Sequence, residues 1–583
     1  MASILFDDQS DSQPDNHYPK LSPNSAQIRL IVLAPGELDS PIHCTYRVVD
    51  LDDEHTSYEN LSYVWNDGAG TVSILVDGHA ATVGRSLFGA LEQLRQVDTE
   101  RTMWIDAICI NQSCNTEKTQ QVGMMCNIYK QCTQCIIWMG PLGETSLQDA
   151  TLAMDMVKWM AKRTADPPEF LHDASQRRRA AEALNTFTTR PWWGRMWTIQ
   201  EAKLPRRCFI YWGPCRLPWD HVDRASKAIM DSDEAPKDLG NYHHEFFASG
   251  AFDNLPASME GLRASDDEPA LFLFWRWRIR QATDPRDKIY ALMGLRGDLD
   301  LPNVPKPDYS LDVAPLFTRV TADLINQCRD LNPLIGRRGE TPALKGLPSW
   351  VVDWSGHEEG QERADFWIHE ARWFNRGYCA DRGIFGVGDG LRFADESDKR
   401  VLLLSGLYVD KIAVVEQRPT GSRRSGEEFH EVLLGGADRW ADLIKRFQGS
   451  GAATGQAVEL PDGWMQAFLG LIMGRLVPAD PDDGDPDDWA REMVRDQAIF
   501  ITEGGRFGLG PVNAQVGQQL WIVGGCRLPV ILDGARPPHY KGKDWDETGR
   551  RDFTWVSDCF VYCMMKGEAV EGRGNEQVDF NLH

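Results

Sequence analysis

Three stretches of this chain place ionisable and hydroxyl side chains among aromatics, where a core would otherwise be apolar. They are Tyr58-Glu59-Asn60-Leu61-Ser62-Tyr63-Val64-Trp65, Trp104-Ile105-Asp106-Ala107-Ile108-Cys109-Ile110-Asn111-Gln112, and Arg190-Pro191-Trp192-Trp193-Gly194-Arg195-Met196-Trp197-Thr198-Ile199-Gln200-Glu201. A carboxylate in such surroundings must be paired or perturbed, because an unpaired buried charge costs several kcal/mol. If the third stretch is helical from Trp192, then Trp193, Trp197 and Glu201 fall on one stripe, and Glu201 points where the tryptophans point. The candidate site is therefore Glu201 as the catalytic carboxylate, with Ser62, Tyr63, Trp65, Asp106, Asn111, Trp193, Arg195 and Trp197 around a substrate. Structural roles compete with this reading. Glu201 could pair with Arg190 or Arg195 and pin its helix to a sheet, and Asp106, read as lying mid-strand, could cap a neighbouring loop or helix.

Other chemistries find little support. No GxxxxGK[ST] phosphate-binding loop occurs. Gly386-Val387-Gly388-Asp389-Gly390 lacks the third glycine of a dinucleotide fingerprint and reads as a turn. Cys132-Thr133-Gln134-Cys135 is an isolated CxxC, read as buried thiols rather than a metal site. His243-His244 and His369-Glu370 do not form a HExxH pattern, so no metal site is expected.

The elements that must position these residues alternate. Strands are expected over 58–65, over a hairpin at 73–83 turning at Asp77-Gly78, and over 103–110, 135–139 and 208–212. Helices are expected between them: one carrying Leu87, Ala90, Leu91 and Leu94 on a single face, one carrying Val122, Met125, Cys126 and Tyr129, and two more over 147–163 and 176–188. This order predicts a parallel α/β sheet, with ligand sites at the carboxyl ends of its strands. Asp284-Pro285-Arg286-Asp287 opens a further helix ending at Gly294, and strands dominate after 340, as in 401–404, 407–415 and 521–523. The expected organisation is a flexible arm over 1–25, the α/β domain over 26–215, a mainly helical segment over 216–340, and a β-rich region over 341–583. Loops at 449–455 and at the acidic stretch 478–488 interrupt that last region.

At 583 residues, with 42% hydrophobic and 25% charged residues, the chain is long enough for several globular domains. Its net charge of -24 makes a nucleic-acid partner a poor expectation. The 13 Cys lack framework spacing, the N-terminus lacks a signal-peptide pattern, and no stretch reaches the ~18 apolar residues of a membrane helix. The expectation is a cytoplasmic protein without a membrane span. Tryptophan is unusually abundant, with 21 residues, and Trp65, Trp104, Trp138, Trp192, Trp193 and Trp197 all fall in the α/β region.

The three stretches closely resemble the hallmarks YxxLSYxWG, LWIDAICINQ and RPWFxRxWxxQE of the heterokaryon incompatibility (HET) domain of filamentous fungi. The resemblance covers about residues 58–203. Asn66 stands where that family usually has Gly, a change a left-handed turn tolerates. Further family-like segments are Asp284–Leu295, Leu347–Trp354, Asp558-Cys559-Phe560-Val561-Tyr562 and Lys566-Gly567-Glu568. The resemblance implies a role in fungal non-self recognition, ending in growth arrest or programmed cell death. It also implies a fold similar to the TIR domain of innate immunity, a flavodoxin-like parallel sheet. The fold class expected is thus a TIR-like α/β domain followed by a helical segment and a β-rich C-terminal region.

Some TIR domains cleave NAD with a Glu in a segment resembling SxWCxxE. Trp197-Thr198-Ile199-Gln200-Glu201 is similar, without the Ser and Cys. This analogy of fold implies NAD as a candidate substrate, no cofactor, and NAD glycohydrolysis as one expected activity, with the question of whether the chain is an enzyme left open. The nicotinamide leaves from an already cationic ring, so one carboxylate that stabilises an oxocarbenium-like transition state meets the need, with tryptophans stacking the rings. The competing class is a non-enzymatic signalling module that self-associates or recruits an activating protein through aromatic surfaces. A regulator outside incompatibility is a third. No NACHT or WD-repeat module is recognisable in the sequence, so the activating partner is not legible.

Overall fold

The computed structural model describes residues 5–6, 17–23, 25–65, 70–162, 166–231, 236–260, 270–278, 280–295, 299, 301–335, 344–355, 379–381, 391–396, 399–416, 443, 445–448, 497–534, 551–561, 564–565, 567–573 and 576–583. It divides into two compact units. The first comprises residues 1–269, 280–299 and 305–311; the second comprises 270–279, 300–304 and 312–583.

In the first unit the strands are β1 (Leu5–Phe6), β2 (Gln27–Leu33), β3 (His43–Asp50), β4 (Glu59–Ser62), β5 (Thr71–Val76), β6 (His79–Gly84), β7 (Arg101–Trp104), β8 (Gln134–Trp138), β9 (Cys208–Trp212) and β10 (Cys215–Pro218). They form one mixed sheet in the order β1-β6-β5-β3-β2-β7-β4-β8-β9-β10. Its middle, β7-β4-β8-β9, is parallel throughout. Numbered by chain order within this quartet, the strands stand 2-1-3-4. The antiparallel β2 then joins β7, and β3 joins β2. The hairpin β5–β6 turns at Asp77 (φ 49°) and Gly78 (φ 82°), two left-handed residues as a type I′ turn requires.

The helices of this unit are α1 (Arg85–Leu94), α2 (Asp106–Cys109), α3 (Asn115–Gln131), α4 (Leu147–Met160), α5 (Ala174–Thr188), α6 (Thr198–Lys203), α7 (Trp219–Met230), α8 (His243–Ala248) and α9 (Ala251–Glu260). Leu87, Ala90, Leu91 and Leu94 of α1 are buried as their spacing predicts, each Leu contributing about 2 kcal/mol. On α3 the buried face includes Val122, Met125, Ile128 and Tyr129, with Cys126 only partly covered. Helices α4, α5, α7 and α9 pack against one another. Ser146 and Asp173 cap α4 and α5 through their side chains.

Several sequence expectations change. The strand expected over 58–65 is confined to β4. The strand expected over 103–110 is two elements: β7 ends at Trp104, and Asp106 opens the single turn of α2. Asp106 is therefore a helix N-terminal residue and not a mid-strand one. The helix expected from Asp284 to Gly294 shortens to Asp287–Tyr290, because Asp284 Oδ1 accepts from Arg286 N in a local turn that delays helix entry. β2 and β3 lie in a stretch the sequence reading leaves unassigned. The turn at 386–390, the loops at 449–455 and 478–488, His369-Glu370, and Asn66 lie outside the described residues; of the side chain of His243 nothing is described.

In the second unit α10 (Ala270–Arg278) and α12 (Val313–Cys328) are helical, and α11 (Asp287–Tyr290) belongs to the first unit. Its strands are β11 (Arg392–Phe393), β12 (Leu402–Val415), β13 (Gln497–Thr502), β14 (Phe507–Pro511), β15 (Gln519–Val523), β16 (Val530–Asp533), β17 (Arg551–Asp558), β18 (Phe560–Val561) and β19 (Val578–Leu582). The long β12 pairs with β19 through its first half and with β15 through its middle. The pairings β15–β16, β16–β17 and β17–β19 then close a ring. Closure leaves no free edge among these five strands. Leu407, Ile412, Phe500, Leu520, Ile522, Ile531 and Val561 form a core here.

Gly508 admits the Phe500 ring across the β13–β14 pair, since a Cβ there would lie 2.1 Å from Phe500 Cζ. Gly508→Ala is expected to destabilise this unit by about 1–3 kcal/mol through overpacking. Gly508→Ala combined with Phe500→Leu should recover part of that loss in urea melts. Additive losses would show that the ring is not the cause.

Candidate functional site

Four elements converge at the carboxyl end of the parallel strands. Ser62 is the last residue of β4, Asp106 follows β7, Trp192 lies in a 3₁₀ turn over Pro191–Gly194, and Glu201 lies on α6. Pro191 at the first position of that turn suits its fixed φ. Ser62 Oγ donates to Glu201 Oε2 and accepts from Trp192 Nε1 at 2.7 Å. All three side chains are buried: Ser62 is 1% exposed, Trp192 0% and Glu201 3%. Tyr129 lies beside Glu201 and supports its ionised form, although its hydroxyl falls outside strict hydrogen-bond geometry.

Asp106 is the second carboxylate. Its Oδ1 accepts from Trp65 Nε1 at 3.1 Å and from Ala107 N at 2.8 Å. Its placement is fixed from behind. Arg29 of β2 reaches Cys109 O at 3.1 Å and grips both Glu117 oxygens, at 2.5 and 2.9 Å, which ties the end of α2 to the start of α3. Tyr46 Oη adds a bond to Ile108 O at 3.1 Å. Asp106 and Trp65 retain partial solvent exposure, in contrast to Glu201.

The electrostatics follow from this enclosure. Burial raises the Glu201 pKa above its ordinary value, opposed by the Arg195 charge and by the bond from Ser62. Burial, and then the Glu201 charge, pushes Asp106 up to about 7, against the pull of Arg195, Ala107 N and Trp65. Burial raises the Tyr63 hydroxyl well above the usual phenol range, so it stays neutral. Arg195 bonds the Tyr63 carbonyl and is the cation common to both carboxylates. The arrangement is thus two enclosed carboxylates of raised pKa that share the influence of one arginine.

The structure separates the expected site residues into two groups. Ser62, Tyr63, Trp65, Asp106, Arg195 and Glu201 come together. Asn111, Trp193 and Trp197 do not join them through any bond described for them. Asn111 closes its own turn, its Oδ1 accepting from Ser113 N at 3.1 Å and its N–H donating to Glu117 at 2.7 Å. Trp193 Nε1 donates to Phe187 O at 2.9 Å. Trp197 supports Asp287, a different buried carboxylate, which burial pushes up to about 6. The expected stripe of Trp193, Trp197 and Glu201 fails because the backbone is a 3₁₀ turn, then an extended residue at Arg195, and helical only from Thr198.

Trp192 and Tyr129, which do reach the site, are not among the residues expected there from the sequence. Trp192 lies in the third stretch but out of phase with a continuous helix, and Tyr129 has the spacing of an ordinary helix-core residue. Of the two arginines expected beside Glu201, Arg195 is the neighbour. Arg190 instead donates to Pro141 O and Leu142 O at 3.0 and 3.1 Å and lies over the Trp212 ring. Cys132 and Cys135 are buried free thiols, as expected of an isolated CxxC. No group of His, Cys, Asp and Glu suited to a metal ion occurs among the described residues, and no helix among them is long and apolar enough to cross a membrane.

Comparison with known proteins agrees with the motifs. The family described as Heterokaryon incompatibility protein (HET) matches residues 58–201, which run from Tyr58, just before β4, to Glu201. Heterokaryon incompatibility protein 6, OR allele, of Neurospora crassa is 27% identical over 405 residues, covering 58% of this chain and 59% of that protein. The chain therefore spans less than two thirds of that relative's length. No solved structure gives a significant match. The matched segment holds β4, Asp106, Trp192, Arg195 and Glu201, so these residues all lie in the part of the chain that is similar to the heterokaryon incompatibility (HET) family.

Proposed function

We propose that this chain is an effector of fungal non-self recognition whose HET domain brings about growth arrest or cell death by hydrolysing NAD. The observation that carries this reading is the Asp106–Arg195–Glu201 cluster at the carboxyl end of β4 and its neighbours. The order 2-1-3-4 of the parallel quartet supports a flavodoxin-like, TIR-like sheet, whose ligand crevice is expected where β4 meets β8. Ser62, directly opposite Ile137 of β8, ends β4 at that place.

In the reaction, water adds to C1′ of the nicotinamide ribose. The C1′–N bond breaks with its electron pair passing to the pyridinium nitrogen, neutral nicotinamide leaves, and the proton of water goes to a carboxylate. Asp106, with a pKa near neutrality, suits that proton acceptor. Glu201 offers negative charge to the developing oxocarbenium ion, and the partly exposed Trp65 offers a ring for stacking. The burial of Glu201 requires the site to open on the side of Asp106 and Trp65.

That same burial favours a second reading. In it, the Ser62–Glu201–Trp192 bonds only pin α6 to the sheet, and the domain signals by self-association or by recruiting a partner. Conditional expression of wild type and Glu201→Gln in a fungal host separates the two, with NAD and viability measured together. The enzyme reading expects NAD to fall before viability in wild type and neither to fall in the variant. Death with intact NAD in both would establish the second reading.

A further inference from the structure

The turn that carries Arg195 and leads into Glu201 is held by a segment that lies well beyond the HET family match. Gln281 N donates to Gly194 O at 2.7 Å, and Met196 N donates to Gln281 O at 2.9 Å. Arg195 and Gln281 thus form a parallel bridge. Arg280 is 5% exposed, and its Nη1 donates to Trp193 O at 2.9 Å, Arg195 O at 3.1 Å and Thr198 Oγ1 at 3.1 Å. Lys288 Nζ in turn donates to Arg280 O. On α6, Gln200 Nε2 donates to Ala291 O at 2.9 Å and Met293 O at 3.1 Å. Asp287, bonded by Tyr309 Oη at 2.5 Å, adds its contact with Trp197. Trp193, Gly194, Arg195, Met196, Trp197, Thr198 and Gln200 therefore all meet residues 280–293.

We infer that residues 280–293 form a clasp that completes the HET site, with Arg280 as the positioning residue that sets Arg195 against Asp106 and Glu201. This rests on reading that cluster as the functional site. A 3₁₀ turn followed by one extended residue and a six-residue helix has few backbone bonds of its own. External donors must hold it. A guanidinium supplies several fixed donors at once, which explains why an arginine rather than a lysine meets these three oxygens.

The test reads Asp106 directly and does not depend on NAD cleavage. Asp106 is faced by Glu201 from α6, Arg195 from the turn, Tyr63 after β4, Cys109 on α2 and Tyr129 on α3. Of these only Arg195 is a cation, so its displacement raises the pH at which Asp106 ionises. Trp65 donates to Asp106, so the difference in emission between the full chain and its Trp65→Phe variant reports that ionisation. Arg280→Met in the full chain is expected to shift this midpoint upward by about half a pH unit or more, and Arg280→Lys by less. Thr198→Val, which removes the hydroxyl that donates to Arg195 O and accepts from Arg280, should shift it in the same direction and decides the matter alone if Arg280→Met fails to fold. A lowered melting temperature with an unmoved midpoint in the variants that fold would overturn the clasp as a positioning device. An upward shift together with intact NAD in wild-type incubations would uphold the clasp and sink only the proposed hydrolysis.

Discussion

Glu201→Gln is expected to reduce nicotinamide release from NAD by about 10²–10³-fold or more, with the fold retained. Glutamine keeps an oxygen that accepts from Ser62 Oγ and occupies nearly the same volume, so the Ser62–Trp192 chain of bonds survives. What disappears is one negative charge, held where solvent cannot screen it. A charge in that setting is worth far more to a developing cation than in water. The same change removes the second-largest influence that raises Asp106, so the ionisation midpoint of Asp106 should move down. Nicotinamide quantified by chromatography, with circular dichroism as the control for folding, gives the result. Undiminished release by a well-folded variant would remove Glu201 from the chemistry. Equal inactivity of wild type and variant in a toxic, expressed form would leave the buried carboxylate a structural pin.

The sequence carried the site's residue types but not their directions. The parallel strands β4, β8 and β9 and the helices α1 and α3 are locally legible, because β4 and β8 are short runs buried almost throughout while β9, α1 and α3 each bury one face. Asp106 opens α2 rather than lying in a strand, which local pattern does not show because Met103–Ile110 is apolar almost throughout, and such a run cannot by itself distinguish a strand from a strand followed by one helical turn. The Trp193–Trp197–Glu201 stripe fails for a related reason. Periodicity assumes a continuous helix, whereas the bridge to Gln281 pulls Arg195 into extended backbone and resets the phase. That bridge is a long-range pairing, and no local pattern in Arg190–Glu201 records it. The strand β2 did have a readable signal in Leu30-Ile31-Val32-Leu33. Its Arg29, which no local pattern marks, is 1% exposed and holds α2 in place. The Asp284–Leu295 segment was visible as a motif, but its connection to Glu201 only becomes apparent once both are placed.

Asp106→Asn is expected to stabilise the first unit at alkaline pH while abolishing activity. An acid whose folded-state pKa lies above its unfolded value holds its proton longer in the folded chain, and Asp106 rises from 3.8 to about 7. Between roughly pH 4 and 7 the folded state therefore binds more protons than the unfolded one. The contribution of Asp106 is fully present below its unfolded pKa and is lost as pH rises through that window. At 1.36 kcal/mol per pH unit, the loss approaches about 4 kcal/mol, part of it shared with Glu201, which burial also raises. Carboxylates held low by partners, such as Asp284 beside Arg286, respond in the opposite sense and obscure the trend in wild type alone. The informative quantity is therefore the difference between variant and wild type in urea unfolding. It should grow in favour of Asp106→Asn from about pH 5 to pH 8, because asparagine still accepts from Trp65 and Ala107 N without taking a charge into the site. A difference that does not change with pH would show that Asp106 titrates as an ordinary surface acid. A variant more stable than wild type at pH 8, yet inactive, is the pattern expected where the fold tolerates a strained charge because the chemistry uses it.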